Sequence, residues 1–356
     1  MNYKNLLLVF ALAFLSQSCD DDSECCPAPE QEAQFESGII VLNEGNFGSA
    51  NASVSFINSE DQLNLSGIFN DVNGYSLGDT AQSIELHENL AMIVVNVSNK
   101  IEIVNRYTFE SLGAITTNLS NPRFAEIIGN KIYVTNWGDG TNPDDDFVAV
   151  FNLADFSFDE SINVAEGPEK MIAHNTSIYV AHKGGFSFNN LISLIDSQVN
   201  SVVKEIEVGD LPNSMTINGN DLWVLAAGKP SYADVETAGE LSRIDLGTNE
   251  VAESFQFPDK TIHPANLNLV GNSAYMTIGK SLYKYEPGNA LPVTEEYSFE
   301  EVAFLYGFAI HENKVYVASP RADFTGNGNL YIYDLNDGSL LDQFNTGINP
   351  NGVYFN

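Results

Sequence analysis

Gly129-Asn130-Lys131-Ile132-Tyr133-Val134-Thr135-Asn136 reads as a tight turn followed by a short strand with an aromatic residue at its centre. Gly and Asn tolerate the backbone angles of such a turn, and β-branched and aromatic side chains suit a pleated, half-buried surface. The unit recurs. It stands at Asn175-Thr176-Ser177-Ile178-Tyr179-Val180, at Asn220-Asp221-Leu222-Trp223-Val224 and at Gly271-Asn272-Ser273-Ala274-Tyr275-Met276. It returns at Glu312-Asn313-Lys314-Val315-Tyr316-Val317 and Glu88-Asn89-Leu90-Ala91-Met92-Ile93, and Ser37-Gly38-Ile39-Ile40-Val41 opens the series. The central residues 40, 92, 133, 179, 223, 275 and 316 lie 52, 41, 46, 44, 52 and 41 apart. A period of roughly 40 to 50 residues with about four strands in each unit is the arithmetic of a propeller blade. The expected fold is all-β, a seven-bladed β-propeller over residues 37–356.

Two further features repeat in step. An apolar pair closing on Asp, Asn or Glu marks each third strand, ending at Asn58, Asn105, Asn152, Asp196, Asp245, Glu286 and Asp334. Such a side chain starts the next turn by accepting from its own backbone. Proline recurs where one blade passes to the next, at Pro122, Pro168, Pro212, Pro264 and Pro350. The chain ends in a junction and a first strand with no blade after it. Its first unit, conversely, begins at what is a second strand elsewhere. The C-terminal strand is therefore expected to complete the first blade and close the ring, which removes free sheet edges.

The composition agrees with a folded domain: 44% of the 356 residues are hydrophobic and 18% are charged, which excludes wholesale disorder. The net charge of −33 repels phosphate backbones and anionic lipid, so nucleic acid is excluded as a partner. The three cysteines, Cys19, Cys25 and Cys26, all precede the repeats, leaving no disulfide framework or thiolate metal site inside the domain. Lys4 followed by the apolar run from Leu6 to Leu15 reads as a signal peptide over 1–18, too short to span a bilayer. Ser16-Gln17-Ser18-Cys19 resembles a lipobox, in which the cysteine becomes the lipidated first residue. Residues 19–36, with the acidic run Asp20, Asp21, Asp22 and Glu24, are expected as a tether.

Tyr133-Val134-Thr135-Asn136, with Gly138 following, resembles the signature of the YVTN propeller repeats. The stretches Val41-Leu42-Asn43-Glu44-Gly45-Asn46-Phe47-Gly48 and Leu77-Gly78-Asp79-Thr80-Ala81-Gln82-Ser83 resemble YncE-like, DUF5074 surface lipoproteins of Bacteroidota. That resemblance, together with the acidic run after Cys19, implies a lipid-anchored protein on the outer face of the outer membrane. The best-understood members capture cobalamin for a TonB-dependent outer-membrane transporter. The resemblance thus implies a corrinoid as ligand and such a transporter as partner.

No catalytic constellation emerges. His87, His174 and His311 fall in turns of separate blades, and His182 and His263 lack a placed carboxylate partner. Asp139, Asn142, Asp144, Asp145 and Asp146 fit no EF-hand spacing and read as a solvated loop. With Trp137 and Trp223 alone, the tryptophan docking element of quinone-dehydrogenase propellers is missing from most blades. A binding protein is expected, with no cofactor, metal ligand or catalytic residue. A polymer-acting hydrolase or lyase and an adhesion or scaffold propeller stand as alternatives. The junctions into each innermost strand and the loops after each second strand converge on one face. Read in order they give Asn43, Gln82, Asn96, Arg123, Asn136, Trp137, Lys170, His182, Asn213, Tyr232, Asn266, Tyr306, Arg321 and Asn351. The long loops 137–147, 183–190, 228–240 and 319–329 bring Phe186, Phe188 and Tyr232 to the same rim. The mixture is amide and aromatic with few charges, as a rigid ligand with an apolar plane and peripheral amides requires.

The anchor is directly testable. Cys19→Ala is expected to release the protein from the membrane fraction into the soluble one. Unchanged processing and membrane retention would contradict the lipidation of Cys19.

Overall fold

Among the described residues, twenty-eight strands form seven four-stranded antiparallel sheets that succeed one another round a ring, with one short helix, Ile68–Asn73, between the first and second blades. This computed structural model describes residues 34–58, 60 and 63–356. The signal peptide, Cys19, Cys25, Cys26, the acidic run and most of the tether lie outside the described residues. The innermost strands are Pro350–Phe355, Ala81–His87, Pro122–Ile128, Pro168–His174, Pro212–Asn218, Pro264–Val270 and Gly307–His311, in blades one to seven. Each runs from the mouth where the blades are entered toward the opposite mouth. His87, His174 and His311 end three of them at that far side.

The core lies between blades. Tyr133, Val148 and Val150 of blade three pack against Ile178, Val180 and Ile195 of blade four. Tyr179, Ala181 and Ile192 then pack against Leu222, Val224 and Ile244 of blade five. Second and third strands are therefore covered on both faces. Lys131–Asn136 buries its last five residues and Phe147–Asn152 its central four, so they read as continuous apolar runs rather than alternating ones. Outer strands such as Phe158–Asn163 are exposed and polar.

The repeated central residues hold equivalent places. Ile40, Met92, Tyr133, Tyr179, Trp223, Tyr275 and Tyr316 each pair with one residue of the innermost strand: Tyr354, Glu85, Glu126, Ile172, Thr216, Asn268 and Ala309. The third-strand side chains start turns as expected at Asn58, Asn105, Asp196, Asp245 and Asp334, whose oxygens accept from backbone N–H groups two residues on. Asn152 and Glu286 depart from this. Asn152 donates to Ser157, and Glu286 accepts from Ser273.

Closure of the ring follows the expected route. Pro350–Phe355 pairs antiparallel with Ile39–Asn43, with Ile39 opposite Phe355 and Val41 opposite Val353. One boundary differs from expectation. Phe35 is buried against Phe56 and Phe109, with ring centroids 5.1 and 5.5 Å away, and its carbonyl accepts from Asn356 Nδ2 at 2.6 Å. Structured chain thus begins ahead of residue 37, because an aromatic there finds a pocket between the first two blades.

Deleting 350–356 opens a strand edge in blade one and uncovers Val41 and Ile40, both fully buried. Such a truncation is expected to lose soluble yield or lower the melting temperature by more than about 5 °C. An unchanged melting curve would contradict closure by this strand.

Candidate functional site

The entry ends of the innermost strands surround a cavity of about 760 Å³. Its walls reach from the blade junctions to mid-strand, where Ile84, Glu85, Glu126, Met171 and Tyr354 stand. A volume of this size suits a ligand of several hundred daltons.

Gln82, Arg123, Lys170, Asn213, Asn266, Tyr306 and Asn351 line the cavity. Two of these also tie blades together. Asn351 Nδ2 donates to the carbonyl of Ala81 at 2.9 Å, and Asn213 Nδ2 to that of Pro264 at 2.8 Å. Asn96 does the same for Pro122 at 3.0 Å, and Trp137 Nε1 for Pro168 at 3.1 Å. Each donor comes from the blade before. The carbonyls at these strand entries thereby accept a donor from the neighbouring blade.

Four candidates from the sequence are buried inside blades and do not reach the cavity: Asn43, Asn96, Asn136 and His182. Asn43 donates to Ser55 Oγ at 3.0 Å, and Asn136 donates to Val134 O at 2.8 Å while accepting from Ser120 N–H. His182 Nε2 lies 2.8 Å from Ser193 Oγ, and burial pushes its pKa down to about 4, so the ring is neutral. Their part is to hold the blade ends. Tyr232 and Arg321 stand on outer loops rather than in the wall. Tyr232 is 84% exposed, and Arg321 pairs with Asp323.

The rim is aromatic. Trp137 meets Phe186 edge-on at 5.9 Å, and Phe188 lies 6.3 Å from Tyr232. Across the mouth, Phe324 packs against Phe304 at 5.0 Å and Tyr306 at 5.9 Å. Phe47, Phe186 and Tyr232 are more than three-quarters exposed. Glycines shape this edge. A Cβ on Gly167, at φ +69°, would meet Gly185 N at 2.0 Å, and the Gly167 carbonyl accepts from Lys183 N–H at 2.8 Å. The loop carrying Lys183 and Phe186 is thereby pressed onto the entry of blade four.

Below the rim the wall is charged, contrary to the expectation of few charges. Glu44, Glu85, Glu126, Glu169 and Lys183 line it alongside Arg123 and Lys170. Arg123 sends both Nε and Nη2 to Glu169 Oε1, at 3.1 and 2.9 Å, with its guanidinium 4.0 Å from the centre of the Trp137 ring. Tyr306 donates to Glu44 Oε2 at 2.5 Å. Burial raises the Glu44 pKa, against the Tyr306 hydrogen bond and the Arg123 charge. Burial lifts Glu85 to about 8, with the Glu126 charge adding to it, and lifts Glu126 to about 7 against a backbone hydrogen bond at Ala173.

The acidic loop after Trp137 is held by its own turns. Asp139 Oδ1 accepts from Thr141 N–H and Oγ1–H, and Asn142 Oδ1 from Asp144 N–H. Asp146 is buried and accepts from Gly167 N–H. Desolvation raises its pKa to about 7 despite that bond. Among the described residues no group of three or more His, Cys, Asp or Glu is placed to share a metal ion.

Residues 37–349 match the family described as "Domain of unknown function (DUF5074)". The chain belongs to the DUF5074 family. No curated protein matches it. The DUF5074 chain is similar in structure to a functionally unknown protein from Desulfotomaculum acetoxidans DSM 771, with a TM-score of 0.64 and 11% identity over 90% of this chain and 98% of that one. It is also similar to the computationally designed Ika8 protein, with a TM-score of 0.59 and 9% identity over 91% and 93% of the two chains. BamB from Moraxella catarrhalis gives a TM-score of 0.54 at 14% identity over 91% and 90%. At these identities the likeness is one of fold.

The raised carboxyls set a pH dependence. Glu85, Glu126 and Asp146 titrate higher in the folded chain than in the unfolded one, so the fold holds extra protons between about pH 4 and 8. Stability is then greatest on the acid side of that window and falls as pH rises and these groups must ionise in place. The melting temperature is expected to be higher at pH 6 than at pH 8.5. Glu85→Gln should raise it at pH 8.5 by about 2 °C or more and narrow the gap. A wild-type curve flat across this range would contradict the assignment.

Proposed function

We propose that this chain is a lipid-anchored, surface-exposed capture protein of the outer membrane. In this reading it binds cobalamin or another corrinoid and hands it to a TonB-dependent outer-membrane transporter. The observation that carries the reading is the contrast between rim and wall. Trp137, Phe186, Phe188, Tyr232 and Tyr306 offer apolar ring faces round the mouth of a cavity whose wall presents Gln82, Asn213, Asn266 and Asn351. A corrin has broad apolar faces and an edge of amide arms. The faces fit aromatic contact, and the arms fit the polar part of the wall, where Gln82 and the unpartnered Asn351 Oδ1 stand among the charged side chains.

Membership of DUF5074 and the propeller fold support a binding or scaffold role in general. The protein side chains are assigned binding and orientation, with no covalent step and no cofactor. Transfer to a transporter requires the mouth to face the partner, and the exposed Phe47, Phe186 and Tyr232 are the groups nearest such a surface.

Calorimetric titration of the purified domain with cobalamin tests this. Saturable, stoichiometric binding is expected at micromolar or lower concentrations, weakened by Phe186→Ala combined with Tyr232→Ala. No heat and no retention of cobalamin at micromolar concentrations would overturn the reading.

A further inference from the structure

The chain holds 15 Lys and Arg against 48 Asp and Glu, so a counter-charge is easy to find almost anywhere on it. The described cations use this. Nine are ion-paired: Lys100, Arg123, Lys131, Lys204, Lys229, Arg243, Lys260, Lys284 and Arg321. Arg106 and Lys280 donate to carbonyl or amide oxygens. Among the described residues, the ammonium groups left with neither an ion pair nor a hydrogen bond are those of Lys170, Lys183 and Lys314. Two of these three line the cavity.

Their placement is specific. Lys170 enters from the third position of the innermost strand Pro168–His174, and Lys183 from the loop that Gly167 clamps beside it. The carboxylate nearest in charge to Lys170 is Glu169, whose Oε1 already accepts twice from Arg123. The Lys170 side chain is open to the cavity, yet the surrounding wall strips solvation from it. Its pKa is lowered by that desolvation and by the Lys183 charge, with Glu169 opposing. Glu169, shared with Arg123, makes no direct bond to either ammonium group, and an incoming anion supplies the charge-assisted hydrogen bonds that both lack. Asn213 and His263 stand in the same wall; His263 has Nδ1 2.9 Å from the Ala227 carbonyl and Nε2 3.5 Å from Glu236, a carboxylate partner that the sequence reading did not place.

We infer that Lys170 and Lys183 form an oxyanion subsite within the cavity, which receives a phosphate-ester or carboxylate group carried by the ligand. It rests on the reading of this cavity as the ligand site, and not on the ligand being a corrinoid. The subsite sets one end of the ligand at the entry of blade four, while Glu85 and Glu126 stand at mid-strand in blades two and three. Orientation within the mouth follows from that polarity.

Lysines of the purified domain are reductively dimethylated with ¹³C-formaldehyde and a borane hydride donor, and the resonances of Lys170, Lys183 and Lys314 are assigned by single substitution to Met. Inorganic phosphate, and acetate in a parallel series, are then titrated at constant ionic strength. The expected result is a saturable shift of the Lys170 and Lys183 signals with at least one anion, absent at Lys314. Which anion saturates at the lower concentration separates the ester from the carboxylate source. Signals at Lys170 and Lys183 that move no more than that of Lys314 with either anion would overturn the subsite.

Titration with cobalamin, which carries one phosphodiester, and cobinamide, which has the same corrin without it, separates this inference from the corrinoid reading. Tighter binding of cobalamin, by about tenfold or more and lost in the Lys170→Met, Lys183→Met double variant, supports both. Binding of neither corrinoid, with the anion-dependent shifts intact, overturns the corrinoid reading and supports the subsite.

Discussion

The strand Pro350–Phe355 is the element on which the rest of the ring depends, because it holds three blades at once. Within blade one it supplies the innermost strand. Toward blade two, the Tyr354 hydroxyl accepts from Ile84 N–H at 2.9 Å, and Arg106 donates to the Phe355 carbonyl and Asn356 Oδ1, each at 2.7 Å. Toward blade seven, the Phe355 ring stacks on His311 with centroids 4.2 Å apart and meets Tyr316 edge-on at 4.9 Å. A propeller blade cannot bury its two faces alone, so each needs both neighbours. Removing the strand that touches blades seven, one and two converts a closed ring into an open stack with two raw faces. His311 is explained by the same contact: it is a packing residue at the far mouth.

Closure also makes the cavity. The innermost strands expose their backbone edges to the axis, and their entry ends would splay without cross-links between blades. Asn351, Asn96, Trp137 and Asn213 supply these by donating to Ala81, Pro122, Pro168 and Pro264, so that four of the seven junctions are caught by the blade before. Ser83 Oγ adds a bond to the Arg123 carbonyl at 2.8 Å, and Thr135 Oγ1 one to that of Glu169 at 3.1 Å. The backbone that carries the wall residues is thus fixed from behind, and a ligand bound there would not have to order it.

The fold was legible in the sequence because the residues that mark it face the interior of a repeated contact. Tyr133, Tyr179 and Trp223 recur since each fills the space between its blade and a neighbour, and that space has a fixed shape. The Asn, Asp and Glu at the ends of third strands were legible as turn formers for the same reason, although Asn152 and Glu286 found other partners. The site was legible only in part. Counting positions identified Gln82, Arg123, Lys170, Asn213, Asn266, Tyr306 and Asn351, all close to a junction. It missed Glu44, Glu85, Glu126, Glu169 and Lys183, and it placed Asn43, Asn96, Asn136 and His182, which are buried inside blades, among the ligand-facing residues. For Glu85, Glu126 and Glu169 the physical cause is a register shift at the entry of the innermost strands. Pairing jumps between Ala81 and Ser83, between Pro122 and Ala125, between Pro168 and Met171, and between Pro212 and Ser214. Such a bulge reverses which side chains face the axis, and alternation cannot be counted through it. At the ends of the second strands, a polar side chain bonded to its own sheet and one aimed at solvent share the same amide composition, so only the hydrogen bonds distinguish them.

The contrast between a −33 chain and a cavity with two unpaired ammonium groups bears on how a ligand is admitted. Exposed surface charges are screened beyond roughly 8 Å at physiological ionic strength, so the acidic exterior governs approach while the wall governs what stays. A small, highly charged anion meets repulsion outside and, once inside, finds carboxylates at Glu44 and Glu169 beside the lysines. A large ligand with one anionic group loses little to the exterior field. In the proposed reading it would gain apolar contact at Trp137, Phe186 and Tyr232 before its charge reached Lys170. Contacts ordered in this way would select by size and by the position of a single charge together, which neither the rim nor the lysines alone would achieve.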